Sequence, residues 1–83
     1  MNLRVRYFAS IREAIGQGSE TLQSRAETLA ALRDELIARG EPYAGALARG
    51  KAVRMALNQV MVEESAVLAD GAEVAFFPPV TGG

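Results

Sequence analysis

The sequence predicts one α+β domain, with a mixed sheet of about five strands packed on one main helix. Three observations favour this fold: short segments in which apolar and polar residues alternate, one longer segment with leucines at helical spacing, and turn residues between them. The chain has 83 residues, of which 49% are hydrophobic and 23% are charged. That length allows one modest core and is too short for two.

The first elements are predicted from local patterns. Leu3, Val5 and Tyr7 alternate with polar residues, as expected of a strand with one buried face. Residues 10–15 predict a short helical turn that ends at the following glycine, and residues 20–23 predict a second strand. The chain therefore opens with two strands joined by a helical turn.

The main helix is predicted over residues 26–39, where leucines and alanines recur every three or four positions. Ser24 and Glu27 have the spacing of a capping box at its start. At its end, Gly40 can adopt the left-handed cap conformation and Pro42 cannot continue a helix. These signals delimit one helix of about four turns.

The second half predicts three strands. Residues 43–49 indicate a loop with a helical turn, and residues 53–62 indicate a hairpin whose turn is Asn58-Gln59. Residues 72–77 predict the last strand, which ends at two prolines. Because a crossover helix separates the first strand from the last, we expect these two strands to pair in parallel at the centre of the sheet.

The chain after the last strand predicts a different structure. Residues 1–77 form the predicted domain, and residues 78–83 form a flexible C-terminal tail that ends in Gly-Gly. Fully extended, such a tail spans about 20 Å. Since Gly82 and Gly83 have no Cβ, a narrow groove in another protein could close around them. A frayed terminus without function is the alternative explanation of the two glycines.

Composition excludes several classes of function. The chain contains no cysteine and no histidine, so disulfides, thiol nucleophiles, imidazole catalysis and the usual zinc and iron–sulfur sites are excluded. We predict no bound metal. A net charge of −1 gives no reason to expect a nucleic acid or a membrane as partner. Without an apolar signal segment or membrane span, a cytoplasmic location is expected.

Three large apolar residues fall on the solvent side of the strand alternation: Phe8, Met61 and Phe77. If their strands are neighbours, these residues form an exposed apolar patch beside the tail, and such patches usually mark protein interfaces. Alternatively, Phe8 and Phe77 lie at strand ends and turn back into the core. Arg4 and Arg6, in the same phase, are interpreted as surface charges.

Three segments carry a resemblance to a known family. Residues 70–83 (DGAEVAFFPPVTGG), 56–62 (ALNQVMV) and 6–16 (RYFASIREAIG) resemble the small subunits of molybdopterin synthase, the sulfur carriers of molybdenum cofactor biosynthesis. The resemblance covers essentially the whole chain and is weakest between residues 20 and 50. It implies a ubiquitin-like β-grasp fold, which agrees with the element order above. The arginines of the first strand make it more basic than the family leads us to expect.

The resemblance also implies a chemistry for Gly83. An adenylyltransferase that resembles the ubiquitin-activating enzymes would use ATP to adenylate its carboxylate, and a sulfur donor protein would convert the adenylate to a thiocarboxylate. The tail would then enter the large subunit and donate sulfur to cyclic pyranopterin monophosphate, which forms the molybdopterin dithiolene. The inserted residues before Gly83 would be Pro78, Pro79, Val80, Thr81 and Gly82.

The implied assembly is a heterotetramer of two small and two large subunits, with the catalytic pocket on the large subunit. The isolated chain would not be an enzyme and would bind no cofactor tightly. The family's apolar contacts fall at positions that match Phe8, Met61 and Phe77. Three alternatives stay open: a carrier for thiamine or tRNA thiolation, a ubiquitin-like protein modifier, and an interaction module with an inert tail.

Overall fold

A computed structural model describes residues 1–79 and confirms the predicted order of elements. In chain order these are β1 (Asn2–Tyr7), α1 (Ala9–Ile15), β2 (Ser19–Gln23), α2 (Leu29–Ile37), α3 (Tyr43–Ala46), β3 (Arg54–Leu57), β4 (Val60–Val62) and β5 (Glu73–Phe77). None of the helices in residues 1–79 is long and apolar enough to cross a membrane.

The five strands form one mixed sheet in the order β2-β1-β5-β3-β4. The predicted parallel pairing of β1 with β5 is confirmed, with Val5 opposite Val74. All other neighbouring strands are antiparallel. The last strand in sequence is therefore hydrogen-bonded on both sides and lies in the middle of the sheet.

The core lies between one face of the sheet and α2. Val5 of β1 and Phe76 of β5 are fully buried, as are Leu29, Leu32 and Leu36 of α2. Burial of each such side chain contributes about 1.5 to 3 kcal/mol to folding. The apolar residues at alternate strand positions thus pack against those at every third or fourth position of α2, and together they form one apolar layer.

The predicted start of the main helix is wrong. The N-cap of α2 is Thr28, whose Oγ1 accepts a hydrogen bond from the backbone N–H of Ala31. Ser24 does not cap α2; its hydroxyl accepts from the backbone N–H of Ala26 and donates to Glu35. Thr28 is extended and forms an isolated β-bridge with Val67 of a distant loop, and the neighbouring Glu27 carbonyl accepts from the backbone N–H of Leu68. This pairing keeps the helix from starting before Leu29.

The hairpin turn and the helix end adopt the conformations that their residue types predict. Asn58 and Gln59 both have positive φ angles, of 50° and 69°, and Gly40 after α2 has a φ of 86°. Asn58 also connects the hairpin to β5. Its Oδ1 accepts from the backbone N–H of Glu73 at 2.9 Å, and its own N–H donates to the Glu73 carbonyl at 2.8 Å.

One buried arginine fixes the loop that follows α3. Arg33 of α2 is 4% exposed, and its guanidinium donates to the carbonyl oxygens of Leu47 (2.8 Å), Ala48 (2.6 Å) and Lys51 (3.0 Å). A fourth hydrogen bond, of 2.9 Å, goes to the carboxylate of Glu64. Because carbonyls that face a buried cation need no water, the loop can pack closely on α2.

A second polar cluster centres on Glu20 of β2, whose side chain is 17% exposed. Its carboxylate accepts hydrogen bonds from Tyr7 (2.8 Å), Tyr43 (2.9 Å), Arg39 (3.0 Å) and Gln17 (3.2 Å). Burial alone would raise the pKa of Glu20, but the hydrogen bonds from Arg39 and the two tyrosines outweigh it and lower that pKa. Burial, with the Glu20 carboxylate beside it, raises the pKa of the Tyr7 phenol.

We expect Glu20→Gln to lower the free energy of unfolding by about 1 to 2 kcal/mol at neutral pH, because a charged acceptor of several hydrogen bonds is lost. The pKa of Glu20 is lower in the folded than in the unfolded chain. Its stabilisation is therefore complete above the unfolded value of about 4.3 and is lost as the pH falls through the folded value.

Urea unfolding of both proteins across a series from pH 7 to pH 2 measures this difference. The difference between their free energies of unfolding should become smaller over the acidic part of the series. A difference that stays unchanged at the lowest pH would contradict the role assigned to the Glu20 charge. Glu13→Gln is the matched control, since Glu13 is exposed and forms no salt bridge with any of residues 1–79.

Candidate docking site at the root of the tail

The face of the sheet that points away from α2, here called the outer face, has a floor of small residues. Across β4, β3, β5 and β1, the strand register places Met61, Ala56, Ala75 and Arg6 in one row. Ala56 is 4% exposed and Ala75 is 7% exposed. Larger neighbouring side chains therefore cover both alanines.

Phe8 and Phe77 form the apolar part of the outer face. Their rings stack with centroids 4.6 Å apart and planes inclined by 11°, and both residues are half-buried. Neither belongs to the core cluster, which contains the adjacent Tyr7 and Phe76. The alternative in which the two phenylalanines turn back into the core is therefore wrong. Each covers the other and leaves the remaining ring surface accessible.

Met61 completes the predicted patch. It is 52% exposed and lines an open cavity of about 600 Å³ that also contains both stacked rings. The other residues that line this cavity are Ala9, Arg54, Pro78 and Pro79. The structure thus brings Phe8, Met61 and Phe77 together. Val60, which the alternation places opposite Met61 and so toward the core, is instead 62% exposed, because it lies at the tip of an edge hairpin.

The first two residues of the tail border this cavity. Pro78 is half-buried and Pro79 is exposed. The cavity is therefore continuous with the point at which the chain leaves β5. Four residues of the tail with predicted roles lie outside the described part of the chain: Val80, Thr81, Gly82 and Gly83. Their roles, and those of the patch at a partner interface, stay predictions.

Two further residues shape this site and were missed in the sequence. Arg54 is exposed beside Phe77, and its phase in β3, opposite to that of buried Met55, could have identified it. Ala9 has a φ of 50°, a left-handed conformation that costs a non-glycine residue about 1 kcal/mol. It reverses the chain directly after Phe8, and nothing in the sequence signals it.

The described residues contain no other candidate for chemistry. Within residues 1–79, no group of three or more Asp or Glu side chains is placed to hold a metal ion. Every buried side-chain nitrogen or oxygen in this part of the chain has a hydrogen-bond partner. The exposed apolar patch of Phe8, Met61 and Phe77 is suited to binding a protein surface.

Comparison with known proteins identifies relatives over nearly the whole chain. The model of the ThiS family matches residues 5–83. The molybdopterin synthase sulfur carrier subunit of Escherichia coli (strain K12) is 42% identical over 81 residues, which cover 98% of this chain and 99% of that protein. The chain and its relative are therefore similar in length as well as in sequence.

Solved structures agree with the observed sheet. In a protein–protein complex of subunits 1 and 2 of molybdopterin-converting factor from Helicobacter pylori, one chain matches with a TM-score of 0.67 and 26% identity, covering all of both chains. SAMP1 from Haloferax volcanii matches with a TM-score of 0.77 over all of both chains, but at 22% identity it shows the fold alone. The expected ubiquitin-like β-grasp fold is confirmed.

We predict that Phe77→Ala lowers the free energy of unfolding by only about 1 kcal/mol, because Phe77 is half-buried and mainly loses its stacking with Phe8. The adjacent Phe76→Ala is the matched control: Phe76 is fully buried, so the same change should cost about 3 to 5 kcal/mol. Denaturant unfolding of the two variants distinguishes them, and equal losses would place Phe77 in the core.

Proposed function

The chain belongs to the ThiS family, and we propose that it is the sulfur carrier subunit of a molybdopterin synthase. The observation that carries this proposal is the 42% sequence identity, over nearly the full length of both chains, with a sulfur carrier subunit of that enzyme. The docking site beside the tail supports it, since a carrier must bind its partner close to the group that it delivers. The chain contributes a carried group and a binding surface rather than a catalytic pocket.

The proposed reactive group is the carboxylate of Gly83. A carboxylate is a poor electrophile, so it first attacks the α-phosphorus of ATP in an adenylyltransferase, releasing pyrophosphate and forming an acyl adenylate. A sulfur donor protein then delivers a sulfide equivalent to the carbonyl carbon, with a thiol as reductant if the donor holds a persulfide, and AMP leaves, which gives a thiocarboxylate. The thiocarboxylate sulfur then bonds to cyclic pyranopterin monophosphate, and water cleaves the resulting acyl–sulfur bond, which leaves sulfur on the pterin and returns the carboxylate. The chain itself needs no cysteine and no tightly bound cofactor, since ATP serves the activating enzyme.

The proposed acceptor of the tail is the large subunit, in an assembly of two small and two large subunits. Phe8, Met61 and Phe77 would dock on it, while Pro78 and Pro79 direct the following residues into its active site. Because the docking residue Phe77 and the tail adjoin in sequence, docking also limits the positions that Gly83 can reach. Proximity of this kind can account for a large part of a rate enhancement.

The intact mass of the protein isolated from cells that are making molybdenum cofactor tests this chemistry. Replacing one oxygen by sulfur adds about 16 Da, nearly the same as oxidation of methionine. Fragmentation must therefore place the added mass on Gly83 rather than on Met61 or Met1, which are 52% and 37% exposed. Deletion of Gly83 should remove it. An unmodified terminus in such cells, or high-mass conjugates instead, would contradict the proposal.

Extension of the chain by one residue beyond Gly83 should abolish sulfur transfer to the pterin in a reconstituted synthase. The extension converts the carboxylate of Gly83 into a peptide bond, so the carbonyl that must be activated is no longer part of a free carboxylate. It leaves the folded domain unchanged. Sulfur transfer and the thermal unfolding midpoint are measured on the same preparations. Retained transfer with an extended chain would rule out the terminal mechanism, whatever the stability.

A further inference from the structure

We propose that the outer face recognises a surface of the large subunit on which carboxylates flank an apolar recess, with the carboxylates facing Arg6 and Arg54. This inference rests on the proposed function and adds a charge requirement to it. An apolar surface alone would satisfy Phe8, Met61 and Phe77. Arg6 and Arg54 additionally require negatively charged groups on the partner.

On the strands of the outer face, positive charges outnumber negative ones, although the net charge of the chain is −1. In the register of the central strands, Arg4, Arg6 and Arg54 project on this face, and Glu73 is the carboxylate among them. Arg4 lies directly opposite Glu73 in the register, so a carboxylate neighbours it on this face, although the two side chains are not within salt-bridge distance. The arginines opposite uncharged residues are Arg6, which faces Ala75, and Arg54, which faces Phe77.

Arg6 and Arg54 form no salt bridge within residues 1–79, which is equally true of Arg4, Arg12 and Arg25. Within residues 1–79, the arginine–carboxylate pairs closer than 4.0 Å involve arginines in or after α2, namely Arg33, Arg39 and Arg49. What sets Arg6 and Arg54 apart is that they lie beside the stacked rings. Glu63 lines a smaller cavity beside Arg54, of about 300 Å³, without reaching salt-bridge distance.

The two arginines lie on opposite sides of the stacked rings. On the β1 side, the Arg6 guanidinium carbon is 5.1 Å from the centroid of the Phe8 ring. On the β3 side, Arg54 borders the cavity that contains Phe77. Arg54 lines the cavity and Arg6 contacts Phe8 from outside it, so we expect a partner that covers the rings to approach both cations.

Covering a guanidinium without a partner is unfavourable, because the charge loses water and gains nothing in return. A carboxylate is the group whose two oxygens match the guanidinium donors, and such a pair also accelerates the encounter of the two proteins. The geometry therefore favours an acidic border around the recess that receives Phe8 and Phe77.

The test is the affinity of the full-length chain for its large subunit, measured by calorimetry at about 0.05 M and about 0.5 M salt, where the screening lengths differ about threefold. We expect Arg6→Glu and Arg54→Glu each to weaken binding by about tenfold or more at low salt, and by much less at high salt. Phe77→Ala should weaken binding similarly at both salt concentrations, because apolar contacts are not screened.

Arg25→Glu is the matched control. Arg25 is exposed in the loop before α2, and its substitution changes the net charge by the same amount as Arg6→Glu or Arg54→Glu. It should alter the affinity less than twofold at either salt concentration. A loss as large as that of Arg6→Glu would show that net charge matters rather than its position, and would overturn the inference. The unfolding midpoint of each variant establishes that it is folded before binding is measured.

Three further outcomes distinguish failure of the inference from failure of the function on which it rests. If the unchanged chain binds the large subunit and both charge reversals bind equally well, the inference fails while the proposed function stands. If charge reversal weakens only the binding of the adenylyltransferase, the large subunit is not the partner that Arg6 and Arg54 recognise, and the inference is wrong. If the unchanged chain does not bind the large subunit at all, the proposed function and the inference both fail.

Discussion

The structure depends on the position of β5 between β1 and β3. Because β5 is hydrogen-bonded on both sides, it joins the two halves of the sheet, and its alternation fixes what each face carries. Phe76 points into the core, while Phe77 points to the outer face. The tail follows immediately. One strand therefore sets the core, the docking site and the starting point of the tail.

The two faces of the sheet follow opposite packing rules. On the inner face, large aliphatic and aromatic side chains interlock with the leucines of α2. On the outer face, Ala56 and Ala75 form a low floor beside the stacked Phe8 and Phe77. The half-buried rings beside these buried alanines provide apolar area that a partner can cover. Binding can thus use a surface that folding does not need.

Much of the fold and part of the site could be predicted because they depend on periodicity. Alternation placed Phe8, Met61 and Phe77 on one face, and the crossover helix required β1 and β5 to be parallel. The helix start could not be predicted in this way. Ser24 and Thr28 are both good N-cap residues, and the choice between them was decided by contacts with a loop some forty residues away.

Arg33 illustrates a second limit of sequence reasoning. An arginine within a helical pattern is normally interpreted as exposed, yet here it is buried because three carbonyls of one loop converge on it. The reversal at Ala9 is similar: an alanine has no preference for a positive φ, so only the surrounding packing explains it. Interactions between distant segments, rather than local patterns, decided these features.

The central position of β5 also bears on synthesis at the ribosome. Its residues 73–77 are translated last among the strands, yet they lie between two strands made much earlier. A nascent chain that still lacks them contains two separate strand pairs and no continuous sheet. The docking surface can therefore assemble only after β5 has been made and is free to pair, so a chain that lacks residues 73–77 has no assembled face with which to bind a partner.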